Sequence, residues 1–169
     1  MELLNEIMNK MNEIKYGYMY NDKNIIDDEC FPSVYKLNSP NKTINDKLGV
    51  CWDQTELERY YFENENINHK TYFICDYDGT LFSTHTFIVA IINNEYYYFE
   101  HSWKDYRGIE KFNNLNELLK WIKKRFTKMC KERFNKGNNI VIYEYPKPKY
   151  NINSEEFFKN AESGKLLDI

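Results

Sequence analysis

The feature that most narrows the folds open to this chain is a run of extended segments joined by tight turns. Thr84-His85-Thr86-Phe87-Ile88-Val89-Ala90-Ile91-Ile92 is rich in β-branched and aromatic residues, and its end is apolar enough to be buried on both faces. Asn93-Asn94 turns it into a second extended segment, Tyr96-Tyr97-Tyr98-Phe99-Glu100-His101-Ser102-Trp103. Upstream, Thr71 to Cys75 reads as a third strand, and Asp78-Gly79 is a hairpin signal between it and Thr84. Strands joined this closely pair antiparallel, because a parallel pair needs a crossover of a dozen or more residues.

The flanks read as helical. Leu3, Leu4, Ile7, Met8, Met11 and Ile14 recur at helical spacing, and the pattern breaks at Gly17. Tyr18 to Tyr35 is polar and irregular and is expected to be loop. Ser39-Pro40 is an N-cap followed by proline at the first helical position, and Gly49 is the expected stop. A helix is predicted from Trp52 to Phe62. A longer one runs from about Asn114 to Phe134, with Leu115, Leu118, Leu119, Ile122, Phe126, Met129 and Cys130 on one face. Asn139 to Tyr145 is a last strand, and Ser154 to Ala161 is a terminal helix. Helices before and after a central block of strands predict an α+β fold, an antiparallel sheet of about four to five strands packed with helices. The length of 169 residues suits a single domain over 1–169.

Charge removes one class of function. The chain carries 23 Lys and Arg against 26 Asp and Glu, a net charge of −3, so no general basic field draws in nucleic acid. The start, Met1-Glu2-Leu3-Leu4-Asn5-Glu6, lacks the basic and apolar regions of a signal peptide, and no run approaches membrane-spanning length. A cytoplasmic protein with no membrane partner is therefore expected. Cys30, Cys51, Cys75 and Cys130 stand alone, without C-x-x-C pairs or a histidine at ligand spacing, so free thiols are expected rather than disulfides or a zinc site.

One of these thiols is placed for chemistry. In Lys47-Leu48-Gly49-Val50-Cys51-Trp52-Asp53-Gln54 the cysteine begins a predicted helix, among backbone N–H groups that lack intrahelical partners. A cysteine so placed is favoured as thiolate, the nucleophilic form; the alternative is a buried thiol acting as a small hydrophobe. His85 opens one central strand and Glu100 lies near the end of the next. With Asn93-Asn94 as the turn, His85 pairs near residue 102 and is a diagonal neighbour of Glu100, roughly 7–8 Å away at the backbone and within side-chain reach. A carboxylate on one imidazole nitrogen leaves the other to take the thiol proton, so Cys51, His85 and Glu100 form a nucleophile, base and orienting acid. His101 is a rival base, but strand alternation sends it to the face opposite Glu100. Trp52 is a candidate substrate-binding wall, or simply core. His69 has no assigned role.

Gly49-Val50-Cys51-Trp52-Asp53, then Thr84-His85-Thr86-Phe87 entering an apolar strand, then an acid ending an aromatic strand, resembles the transglutaminase-like branch of the papain-like cysteine enzymes. The resemblance covers about Leu48 to Trp103. It implies a nucleophilic Cys51 at a helix N-terminus, His85 as general base and Glu100 as the residue orienting the ring. It further implies acyl transfer on an amide or ester of a protein or peptide-like substrate, with no cofactor. Phe87 stands where the family commonly has Trp, and Glu100 where it commonly has Asp.

A second string, Asp76-Tyr77-Asp78-Gly79-Thr80-Leu81, resembles the signature of haloacid-dehalogenase-like phosphatases, with Asp76 as nucleophile and Asp78 as acid/base beside magnesium. That signature belongs on the first strand of a parallel sheet, whereas the segments that follow here read as hairpins. A binding module on the same fold, using Tyr96-Tyr97-Tyr98 as a contact surface, is the non-catalytic alternative.

Overall fold

The computed structural model describes residues 1–25, 31–77 and 81–169. Asp27-Asp28-Glu29, Cys30 and the Asp78-Gly79 turn lie outside those residues. The chain opens with α1 (Glu2–Met11), which buries Leu4, Ile7 and Met11 at the three- and four-residue steps of one helical face. The short β1 (Lys15–Tyr16) follows. The segment expected to be loop instead holds a hairpin, β2 (Tyr18–Tyr20) and β3 (Lys23–Ile25), and a short helix, α2 (Phe31–Val34). Asn21 and Asp22 turn the hairpin, both with positive φ (49° and 58°), the backbone that a two-residue primed turn requires.

In α3 (Pro40–Asp46) the Ser39 side chain accepts the Lys42 N–H and Pro40 occupies the first turn. Lys47, not Gly49, closes it in the left-handed conformation. Gly49 belongs to β4 (Leu48–Gly49), paired parallel with β1. A Cβ at Gly49 would lie 2.8 Å from the Asp53 Cβ and 3.1 Å from Thr43 Cγ2, so a side chain there would push the next helix away.

After α4 (Cys51–Asn64) come β5 (His69–Tyr77), β6 (Leu81–Ile92), β7 (Glu95–Glu100) and β8 (Gly108–Phe112). Then follow α5 (Leu115–Phe134), β9 (Ile140–Glu144), α6 (Ser154–Glu162) and β10 (Lys165–Leu167). Among the described residues the main sheet has six strands in the order β10-β9-β5-β6-β7-β8, each neighbouring pair antiparallel. The fold is thus α+β with an antiparallel sheet, and the expected four to five strands are corrected by two edge strands. β8 lies between the predicted strand that ends at Trp103 and the predicted helix from Asn114, and β10 follows the terminal helix. Asn93 and Asn94, at φ 53° and 63°, make the β6–β7 turn.

Alternation along the strands sorts the core into layers. Tyr72, Ile74, Phe87, Val89 and Tyr98 pack against Leu118, Ile122, Phe126 and Cys130 of α5. On the other face Ile88, Ala90, Tyr97 and Phe99 meet α1 and α4 through Leu4, Ile7, Leu57 and Phe62. Phe73 and Cys75 on that same face pack with Trp52 and with Phe157 of α6. α4 is therefore the central helix, held between the sheet and its neighbours. Tyr97 and Tyr98 are both buried, so Tyr96-Tyr97-Tyr98 does not form the contact surface that the sequence suggested.

Candidate active site

Cys51 is the first residue of α4, and the start of this helix is buried on all sides. Val50 at the N-cap has no side-chain oxygen, and Asp53 supplies the missing acceptor from inside the helix. Its Oδ2 accepts the Val50 N–H at 2.9 Å, and its Oδ1 accepts the Tyr35 hydroxyl at 2.6 Å and the Asn38 N–H at 2.8 Å. Burial still pushes the Asp53 carboxyl up to about 6, against the downward pull of these donors. The later polar residues of α4 are also buried and paired. Thr55 donates to Thr86 on β6 at 3.0 Å, and Glu56 takes Arg59 at 2.9 Å and the Tyr145 hydroxyl at 2.8 Å. These bonds lock α4 against the strands that carry the other candidate groups.

The β6–β7 ladder runs only from Ile92↔Glu95 to Ile88↔Phe99. Continuing that register would set His85 opposite Ser102, but β7 ends at Glu100 and the chain folds back over its own carboxylate. Glu100 Oε2 accepts His85 Nε2–H at 2.6 Å and the Tyr98 hydroxyl at 2.8 Å. Glu100 Oε1 accepts the Ser102 hydroxyl at 2.9 Å and the Trp103 N–H at 2.8 Å. Four donors occupy both oxygens of a carboxylate that is 2% exposed. Burial alone would raise this group; the His85 charge and the donors outweigh it and hold Glu100 below the usual carboxylate range.

With Nε2 engaged by Glu100, the other ring nitrogen is left for Cys51, whose thiol is hydrogen-bonded to His85. Burial pushes the imidazole down, but the Glu100 charge and the Cys51 sulfur outweigh it and bring His85 up to about 10. Trp103 stands edge-on to the His85 ring at 5.1 Å between centroids. The structure thus brings Cys51, His85 and Glu100 into one hydrogen-bonded line from α4, β6 and β7.

It places the other candidates elsewhere. Trp52 is 2% exposed, stacked on Phe157 at 4.3 Å and edge-on to Tyr35 at 5.5 Å. Of the two readings of Trp52, site wall or core, this packing fits core: the indole seats α6, and little of its surface remains open. His101 is buried and bonds Gln54, and His69 bonds the Ile67 carbonyl. Asp76 accepts the Gly137 and Asn139 N–H groups in the middle of an antiparallel sheet, not at the end of a parallel first strand. Its partner in the phosphatase string, Asp78, lies outside the described residues.

Tyr98, Ser102, Trp103 and Gln54 escaped the sequence reading. Local signals exist for the first three. Tyr98 shares a strand face with Glu100, and an acid followed two and three residues later by Ser102 and the Trp103 N–H is a side chain capping its own turn. Gln54 has no such signal for its bond to His101, a partner from a distant part of the chain.

A cavity of about 440 Å³ borders the first turn of α4 through Tyr35 and Asn38, the two residues that bind Asp53. Among the described residues no group of three His, Cys, Asp or Glu is arranged to hold a metal ion, and no helix is long and apolar enough to cross a membrane. A family model described as a transglutaminase-like domain matches residues 4–111, a span that holds Cys51, His85 and Glu100 and runs from α1 into β8. No curated protein matches the chain.

Proposed function

The chain belongs to the transglutaminase-like family, and from that premise we propose that it is a cysteine-dependent acyl-transfer enzyme working through a thioester on Cys51. The observation that carries this reading is the hydrogen-bonded line from the Cys51 thiol through His85 to Glu100. His85 takes the Cys51 proton, and Glu100, acceptor-only and saturated with donors, keeps the other nitrogen protonated and the ring in place. The thiolate attacks the carbonyl carbon of an amide or ester of a protein or peptide-like substrate. The S–C bond forms and the carbonyl electrons move onto oxygen. The Cys51 N–H and a neighbouring first-turn N–H would hold that oxyanion, each donor contributing roughly 2.7–4 kcal/mol in comparable sites.

Collapse breaks the C–N or C–O bond, and the His85 proton goes to the departing amine or alcohol. Water or an amine then attacks the thioester, gives its proton to His85, and releases Cys51 as a thiol. Water makes the chain a hydrolase and an amine makes it a transamidase; one set of residues performs both. A reducing, cytoplasmic setting suits the free thiols of Cys51, Cys75 and Cys130.

A binding module on this fold is the second reading, favoured by the low exposure of Cys51 and His85, 7% each. Limiting iodoacetamide near neutral pH, with the adducts mapped by mass spectrometry, separates the two. Acyl-transfer chemistry predicts that Cys51 is alkylated ahead of Cys30, Cys75 and Cys130 and that His85→Ala slows it. Equal labelling of all four thiols, unaffected by His85→Ala, points to the binding module.

A further inference from the structure

Gln54 and His101 form a buried cross-link between the two halves of the candidate site. Gln54 lies one turn after Cys51 on α4, and His101 follows Glu100 directly. The Gly49 carbonyl can only accept, so the Gln54 amide NH2 faces it at 2.7 Å, which turns Oε1 toward His101 Nδ1 at 2.7 Å. His101 Nδ1 therefore carries the proton. One turn further along α4, Glu58 accepts the His101 backbone N–H, and Arg107 Nε donates to the His101 carbonyl at 2.6 Å. The residue next to the orienting acid is thus gripped by the cysteine-bearing helix at two points four residues apart, Gln54 and Glu58.

We propose that Gln54, acting through His101, is a positioning residue that sets the distance between the Cys51 sulfur and the His85–Glu100 pair. The proposal rests on the acyl-transfer reading of those three residues. Gly49 and Cys51 flank Val50, so the Gln54 bond to the Gly49 carbonyl holds the turn that delivers the sulfur. The bond to His101 ties that turn to the fold-back that encloses Glu100. Both side chains are 1% exposed, so water does not compete for either bond. His101 Nε2 is buried and, among the described residues, makes no hydrogen bond. Burial, helped by the Arg107 charge, pushes His101 down to about 4, opposite in direction to His85. The brace therefore stays neutral while the His85 ring carries charge. Displacement of the sulfur by about 1 Å costs reactivity on the order of a hundredfold.

The test is the rate of Cys51 alkylation by iodoacetamide against pH, from pH 5.5 to 9, in the full chain, with thermal melts as a check on folding. Gln54→Met keeps the size and removes both bonds. It is expected to slow labelling at pH 6 by roughly tenfold or more. His101→Asn, whose amide N–H falls where Nδ1–H lies, is expected to stay within about threefold of wild type, whereas His101→Gln, whose amide falls where Nε2 lies, behaves like Gln54→Met. If Gln54→Met does not fold, the contrast between the two His101 variants carries the test. A folded Gln54→Met with a wild-type profile, or equal profiles for the two His101 variants, overturns the proposal. Wild-type Cys51 that labels no faster than Cys30, Cys75 and Cys130 and ignores His85→Ala overturns the acyl-transfer reading itself, a different outcome.

Discussion

His85 and Glu100, fifteen residues apart on neighbouring strands, share a 2.6 Å hydrogen bond just past the point where the ladder between those strands stops. Each residue stays paired on its other edge, His85 with Ile74 of β5 and Glu100 with Gly108 of β8, while Tyr98, Ser102 and the Trp103 N–H fix the carboxylate. Glu100→Gln keeps the shape, but the Trp103 N–H can only donate, so the amide oxygen stays with it and the NH2 turns toward the His85 ring. The ring must then accept at Nε2, and the tautomer that suits the thiol is lost. Acyl-transfer turnover is expected to fall by about 10³–10⁴, as for triads deprived of their acid, with near-native circular dichroism. Turnover within tenfold of wild type would show that another group orients His85.

The same pair predicts a pH dependence of stability. His85 is up at about 10 in the folded protein against an ordinary value of about 6.5, so between those pH values the folded state binds more protons than the unfolded one. The stabilisation is complete below pH ~6.5 and is lost as pH rises through ~10. Urea unfolding of wild type and His85→Gln at pH 6, 8 and 10 should show a stability gap that narrows with rising pH. A gap that widens would refute the assigned charge on the ring.

Asp53 closes the first turn of α4 with three accepted hydrogen bonds. An asparagine has one oxygen, so Asp53→Asn leaves an amide donor facing either the Val50 N–H or the Tyr35 and Asn38 donors. The expected loss is ~1–3 kcal/mol, read as a fall in Tm of several degrees. An unchanged Tm would mean that the turn is held by packing alone.

Trp52 is stacked on Phe157 and almost fully buried. Trp52→Ala should destabilise by ~3–5 kcal/mol in denaturant titrations, the cost of truncating a large buried aromatic ring. A loss below ~1 kcal/mol coupled to a raised KM would return the indole to the substrate-binding role.

How far the sequence reached depended on the range of the interaction. Ser39 and Pro40 start α3, and Asn93 and Asn94 turn β6 into β7, each through contacts within a few residues, while the periodic apolar stripe of α5 marks Cys130 for the core face. The reach of Glu100 to His85 was legible for a related reason: a two-residue turn fixes the register of the strands on either side. The Asn21-Asp22 hairpin carried a similar signal, but each of its strands is only three residues long, too short to show an alternating pattern. β8 and β10 are short edge strands with mixed burial, and nothing local marks them.

By itself, then, the sequence determined the helices with clear periodicity, the antiparallel meander, and the candidacy of Cys51, His85 and Glu100. Only the tertiary structure decided that Trp52 belongs to the core, that Gln54 binds His101, and that Asp53, Glu56 and Glu58 lie buried on a helix with little amphipathic pattern. The physical reason is that burial of a polar side chain depends on whether distant backbone and side-chain groups arrive to bond it, and those partners come from segments far along the chain. Local sequence encodes turns, faces and the register across a tight turn; it does not encode which groups meet between elements far apart in the chain.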